Sequence, residues 1–224
     1  MFVAGCSTVK TRSLAAPTLQ QILAEDLSFD AETGEIRYTL PEDALVRIRI
    51  GIKEGGALLR TVTDWEFRSK GEHVETWDLK DASGKIDFGV RRDLVMVFAA
   101  LPANKSIPRI YDPRVRGYRQ SPGFSITFPE AEMQADVPVI SGNTTLRVTI
   151  DADDISWLRE ENFEIVLFID QVFLMEEEEG INPFNYFLDT NKFNDGSHVI
   201  TVNILSFSGE AATEHVNVRI KNNR

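Results

Sequence analysis

Ala44-Leu45-Val46-Arg47-Ile48-Arg49-Ile50-Gly51-Ile52 is the stretch that decides the fold class of this chain. From Val46 onward, aliphatic residues alternate with Arg47, Arg49 and Gly51. That period of two sends one set to each face of an extended strand, with Ile48 and Ile50 turned inward. Further runs of this kind recur at 34–40, 58–65, 73–79, 94–100, 124–128, 144–150, 164–169, 199–206 and 211–220. Turn-forming strings separate them: Glu54-Gly55-Gly56, Asp81-Ala82-Ser83-Gly84, Ser141-Gly142-Asn143, Asn194-Asp195-Gly196 and Ser208-Gly209. Many short strands at such spacing predict an all-β chain built of β-sandwiches. One helical turn is expected at 153–161, where an Asp-rich start caps Ile155, Trp157 and Leu158.

Composition narrows the function. The chain has 224 residues, with 24 Lys+Arg against 35 Asp+Glu, a net charge of −11. A general nucleic-acid binder needs a basic surface to neutralise phosphates, so nucleic acid is not an expected partner. The length suits one or two domains. No run of about 18 apolar residues is present to span a bilayer as a helix. Residues 105–120 break the alternation, holding Pro108 and Pro113 and crowding Arg109, Arg114, Arg116 and Arg119 together. They read as a basic connector between a first sandwich at 26–104 and a second at 121–224, with a short N-terminal tether at 1–25. Charge follows this division: about +1, −4, +4 and −12 along the four segments, so the acidity lies in the second sandwich.

Two strings carry family resemblances. Ile36-Arg37-Tyr38-Thr39-Leu40-Pro41, the 44–50 strand, Leu59-Arg60-Thr61-Val62, Gly71-Glu72-His73 and Thr76-Trp77-Asp78 lead into Asp81-Ala82-Ser83-Gly84-Lys85. This series resembles the Ig-like domain of the flagellar hook-assembly protein FlgD, a module also found in secreted bacterial proteins. Within it, Trp77 is the expected core anchor. Further on come Phe124-Ser125-Ile126-Thr127-Phe128, Leu146-Arg147-Val148-Thr149-Ile150, the 164–171 strand and hairpin turn, Asn182-Pro183-Phe184, and Asp195-Gly196-Ser197-His198-Val199-Ile200-Thr201-Val202. That order resembles a bacterial Ig-like domain that occurs in tandem on cell-surface proteins and extracellular hydrolases. The two resemblances imply tandem Ig-like β-sandwiches.

Cys6, the sole cysteine, follows Val3-Ala4-Gly5. One cysteine excludes an intrachain disulfide and a cysteine-based zinc site. The setting resembles the bacterial lipobox, which implies lipidation of Cys6 and attachment to the membrane through an N-terminal lipid. Only Met1 and Phe2 precede it, short of the charged and apolar regions of a signal peptide, so this reading places the true start upstream. Ser7 stands where Asp would retain such a protein at the inner membrane, which implies the outer membrane or cell surface.

No catalytic constellation is evident. His73, His198 and His215 lie outside any HExxH or Ser-His-Asp order and read as sheet-surface residues, with His198 and His215 expected as neighbours on the last two strands. The acidic strings Asp151-Ala152-Asp153-Asp154 and Glu176-Glu177-Glu178-Glu179 lack calcium-loop spacing and read as a helix start and a solvated hairpin tip. No metal or other cofactor is expected. Arg109, Tyr111, Arg114, Arg116, Tyr118 and Arg119 interleave guanidinium groups with aromatic rings, a composition suited to docking on an acidic protein face or lipid phosphates, the alternative being a linker packed against the acidic second sandwich. The expected function is a non-enzymatic envelope lipoprotein, a scaffold or accessory subunit of a surface or envelope protein complex. The alternative is a carbohydrate- or polymer-binding surface protein, for which Trp65, Tyr111, Tyr118 and Tyr186 are the candidate aromatics.

Overall fold

A computed structural model describes residues 22–103 and 121–222. The first sandwich has strands β1 (Glu25–Phe29), β2 (Glu35–Leu40), β3 (Ala44–Ile52), β4 (Leu58–Arg68), β5 (Gly71–Thr76) and β6 (Leu94–Pro102). They form two antiparallel sheets, ordered β1-β2-β5 and β4-β3-β6. Alternation in the sequence becomes inside and outside in space. Ile36, Tyr38 and Leu40 from one sheet face Val46, Ile48 and Ile50 from the other in a common core. Trp77 is buried among them, and its indole Nε1 donates to the Lys80 carbonyl at 2.8 Å. The chain enters β2 through Gly34, at φ +75°, where a Cβ would stand 1.9 Å from the Trp77 carbonyl oxygen. Only glycine allows that approach.

The second sandwich comprises β7 (Phe124–Thr127), β8 (Glu132–Gln134), β9 (Val137–Ile140), β10 (Asn143–Ile150), α1 (Ala152–Glu161), β11 (Phe163–Ile169), β12 (Val172–Glu177), β13 (Phe184–Asp189), β14 (Gly196–Ser206) and β15 (Ala211–Ile220). Its sheets are ordered β13-β10-β7 and β12-β11-β14-β15-β9-β8. The strand plan of the first sandwich is repeated here. As β2 lies between β1 and β5, so β10 lies between β7 and β13; as β3 lies between β4 and β6, so β11 lies between β12 and β14. In both halves the chain crosses between sheets in the Greek-key manner of Ig-like folds. The second half adds β15, which pairs antiparallel with β14 and parallel with β9. The tight link from β11 to β12 places Asp170 and Gln171 at φ 51° and 67°, the conformation of a type I′ hairpin turn.

The architecture is all-β with one α-helix among the described residues, as the alternation predicts. Helix α1 is where the sequence expects a helical turn, and it buries Trp157 and Leu158 in the second core. The expected capping is different, however. Asp151 occupies the N-cap position without a side-chain cap bond. Asp154 does the anchoring instead, accepting from the Trp157 indole at 2.9 Å and from the Gly123 N–H at 2.8 Å. Strands β1, β8, β9, β12 and β13 were not among the expected runs. All are edge or near-edge strands; β1, β8 and β12 are largely exposed, so burial imposes no clean alternation on them, whereas β9 and β13 alternate in burial over only four and six residues. The Glu176–Glu179 string is accordingly not all hairpin tip, since Glu176 and Glu177 complete β12.

Candidate functional site

The outward face of the six-stranded sheet carries Val166 and Phe168 on β11, Val199, Thr201, Asn203 and Leu205 on β14, and Thr213 and His215 on β15. In an isolated sandwich this face would meet water. Here the first sandwich covers it: Thr201 is 0% exposed, Asn203 2% and Phe168 3%. Val166 and Phe168 belong to the buried cluster of the first sandwich, and Val199 and Leu205 pack against it.

Polar groups in this junction are matched rather than left dry. Asn203 bonds both backbone groups of Leu58, accepting from its N–H at 2.8 Å and donating to its carbonyl at 2.9 Å. Thr213 Oγ1 donates to the same carbonyl at 2.8 Å and accepts the second amide proton of Asn203 at 2.9 Å. Pairing of this kind removes the desolvation penalty that buried amides would otherwise carry. His215 lies beside them, with Nε2 3.1 Å from the Leu59 carbonyl, Nδ1 2.8 Å from Thr201 Oγ1, and its ring edge-on to Phe88 at 5.2 Å. Burial pushes the His215 pKa down, against smaller opposing effects from the Leu59 carbonyl and the Asp81 charge.

A second contact forms where the β14–β15 turn meets β3. Arg47 and Arg49, on the outward face of β3, both donate to the Gly209 carbonyl, at 2.6 and 2.9 Å. Arg47 is further held by Asp64 at 2.6 Å and stacks over the Trp65 ring at 4.5 Å. Arg49 is pressed into the same corner with its Nε buried and unpartnered; burial, then repulsion from Arg47, lowers its pKa to about 10. On the turn itself, Ser206 Oγ donates to Glu210 at 2.9 Å, and Ser208 Oγ bonds Glu161 and Glu210.

The remaining candidates are dispersed. His198 and His215 do not pair: His198 stands opposite Val218, and His215 opposite Thr201. His198 contacts Asp170 at 2.6 Å and the Asn194 carbonyl at 2.8 Å. Its pKa is lowered by burial but raised by more through Asp170 and Asn194. His215 is half-buried between the sandwiches, against the Leu59 carbonyl and the Phe88 ring, rather than displayed on a sheet surface, a correction to the sequence expectation. Burial and the neighbouring Glu176 and Glu178 raise the Glu164 carboxyl. Among the described residues no three His, Cys, Asp or Glu side chains are grouped to hold a metal ion. Two shallow grooves, of about 390 and 420 Å³, are lined by Thr33, Arg60 and Trp77 in one case and by Asp195, Arg219 and Lys221 in the other.

Cys6, Arg109, Tyr111, Arg114, Arg116, Tyr118 and Arg119 lie outside the described residues. Of the candidate aromatics, Trp65 is engaged by Arg47 and Tyr186 packs against the second core, so these two form no common strip. No sequence motif marks Asn203, Thr213, Arg47 or Arg49 as junction residues. A signal was present in Phe163-Glu164-Ile165-Val166-Leu167-Phe168-Ile169 and Val199-Ile200-Thr201-Val202-Asn203-Ile204-Leu205. Both runs are apolar in nearly every position, the pattern of strands covered on two faces.

No family model and no curated protein matches the chain. Solved structures give distant likenesses. The fibronectin(III)-like modules of Clostridium thermocellum CbhA are 12% identical with a TM-score of 0.34, over 90% of this chain and 94% of that one. An endo-β-1,4-mannanase from Thermotoga petrophila is 15% identical with a TM-score of 0.33, over 46% of this chain and 20% of the mannanase. The extracellular domain of a hybrid two-component system from B. thetaiotaomicron is 13% identical with a TM-score of 0.30, over 96% of this chain and 27% of that domain. This chain therefore spans well under two thirds of the mannanase and of the two-component domain. The Ig-like assignment rests on the chain's own strand order.

Proposed function

We propose that this chain is a non-enzymatic envelope lipoprotein, a lipid-tethered pair of Ig-like sandwiches acting as scaffold or accessory subunit of a surface or envelope protein complex. The supporting observation is the junction. Asn203 and Thr213 on Leu58, Arg47 and Arg49 on Gly209, and the burial of Val166 and Phe168 dock the two sandwiches directly. A scaffold needs that property, because a partner bound across both lobes loses less entropy when they are already fixed. In this reading Cys6 carries the lipid, and Arg109, Tyr111, Arg114, Arg116, Tyr118 and Arg119 meet an acidic face of the partner.

The test is purification of the native protein from membranes, with intact-mass measurement of the N-terminus and identification of what stays attached. Lipid on Cys6 and a stable heteromeric complex, lost when the four connector arginines become Gln, are expected. A soluble protein with unmodified Cys6 and no partner would overturn the reading. Retention of glycan without protein would favour the carbohydrate-binding alternative.

A further inference from the structure

Strand β12 ends the six-stranded sheet: among the described residues it pairs with β11 and with no strand on its other side. The two-residue turn at Asp170 and Gln171 makes Ile169 and Val172 the hydrogen-bonded pair that closes the hairpin. Bonding alternates from there, so Phe168 and Phe173 are a non-hydrogen-bonded pair. The Phe173 N–H and carbonyl therefore point away from β11, along the free edge. Such an edge is a template for a further strand.

The side chains set this edge beside the junction. Phe173 stands opposite Phe168 and Glu176 opposite Val166, so both share the sheet face that the first sandwich covers. That cover stops between the two strands. Val166 and Phe168 are buried beneath it, whereas Phe173 is 57% exposed with its ring 6.1 Å from that of Phe168. Val172, on the other face, is 67% exposed. β12 is thus a ledge at the rim of the docked pair, apolar at its hairpin end. Its other end is acidic, with Glu164, Glu176 and Glu178 lying together and no cation paired to them among the described residues.

Charges on an edge strand commonly keep it from pairing at all. Here they occupy one end and leave Val172 and Phe173 open, and their single sign selects among partners. A second copy of the chain brings the same carboxylates, and an acidic strand is repelled. A strand carrying Lys or Arg gains ion pairs along with its backbone bonds. We propose that the free edge of β12 is a docking site for an extended basic segment of a partner protein, added as a further strand of the sheet. An apolar side chain of that segment covers Phe173, and its cations face Glu164, Glu176 and Glu178. Backbone pairing supplies affinity and the side-chain pattern supplies choice. This face uses none of the connector residues and needs no lipid on Cys6.

Amide hydrogen exchange of the full chain tests this, with a synthetic peptide alternating Arg with Val as the probe and its Glu-for-Arg counterpart as the control. Phe173 and its β12 neighbours are expected to gain protection with the basic peptide and not with the acidic one. Phe173→Pro removes the outward N–H and the ring and keeps every carboxylate, so it is expected to abolish that gain, with circular dichroism reporting that it folds. Glu176→Gln and Glu178→Gln are each expected to weaken peptide binding about two- to fivefold. Binding that leaves β12 exchange unchanged, or that persists in a folded Phe173→Pro, is charge attraction alone and would overturn the proposal. So would β12 amides already protected in the free chain. If that protection is lost when the four connector arginines become Gln, the occupant is the chain's own connector; if it is lost on dilution of a dimer, the occupant is a second copy.

Discussion

The Asn203 side chain pairs with the Leu58 backbone as another strand would, accepting at 2.8 Å and donating at 2.9 Å. Both residues are separated by most of the chain, yet the pairing ties the start of β4 to β14. Replacing Asn203 by Leu keeps the volume and strands the Leu58 N–H at the junction, while the carbonyl keeps its bond from Thr213. A loss of about 1–3 kcal/mol is expected for the group left unsatisfied. Thermal unfolding should then separate into two transitions where the wild type shows one, since the junction weakens before either core does.

Trp77 is 3% exposed and uses its indole N–H on Lys80. Trp77→Ala is expected to destabilise the first sandwich by about 3–5 kcal/mol. Trp77→Phe, which keeps most of the apolar volume and drops the hydrogen bond, should lose markedly less. Denaturant titration of the two variants measures both values, and equal losses would refute the core-anchor role.

Arg47 and Asp64 are a nearly dry ion pair, with side chains 9% and 14% exposed. Removing one partner leaves the other charge buried, so Asp64→Ala is expected to cost about 3–5 kcal/mol, more than a surface pair would. A double replacement, Arg47→Met with Asp64→Leu, should recover much of the loss. Chemical denaturation of the three variants gives the coupling directly.

Two histidines on neighbouring strands respond to pH with opposite sign. The His198 pKa is raised, so its bond to Asp170 stabilises the fold fully below about 6.5 and is lost as pH rises through the folded value. Asp170→Asn should abolish that dependence while leaving the His215 response in place. Melting temperature followed from about pH 5 to 8 distinguishes the two contributions.

Asp81 governs acid stability of the 81–86 turn. Burial raises its pKa, but the Ser83 hydroxyl and the Ile86 and Ser83 N–H groups more than offset this and hold it below the usual carboxylate value. Stability from this group is present above about pH 4 and lost as pH falls through the folded pKa. Asp81→Asn should therefore flatten the acid limb of the stability curve of the first sandwich, measured by denaturant midpoint against pH.

The sequence by itself determined the fold class and most of the inner core. Alternation in 44–52 and its repeats is a local property, so Ile48, Ile50 and Trp77 could be assigned without knowing what they touch. Turn strings are equally local, and Asp81-Ala82-Ser83-Gly84 forms the turn expected of it. The junction was decided only by tertiary structure. Thr201, Asn203, Thr213 and His215 carry the residue types of a wet sheet face, and only the apolar neighbours of Thr201 and Asn203 in 199–205 signal that the face is covered. What covers them is a second surface roughly 150 positions away in the chain, at Leu58 and Leu59. Alternation reports how many faces of a strand are apolar, whereas the partner of each face depends on how the two sandwiches dock. His215 and His198, both half-buried, therefore look alike in the sequence, and only the Leu59 carbonyl and the Phe88 ring set His215 apart.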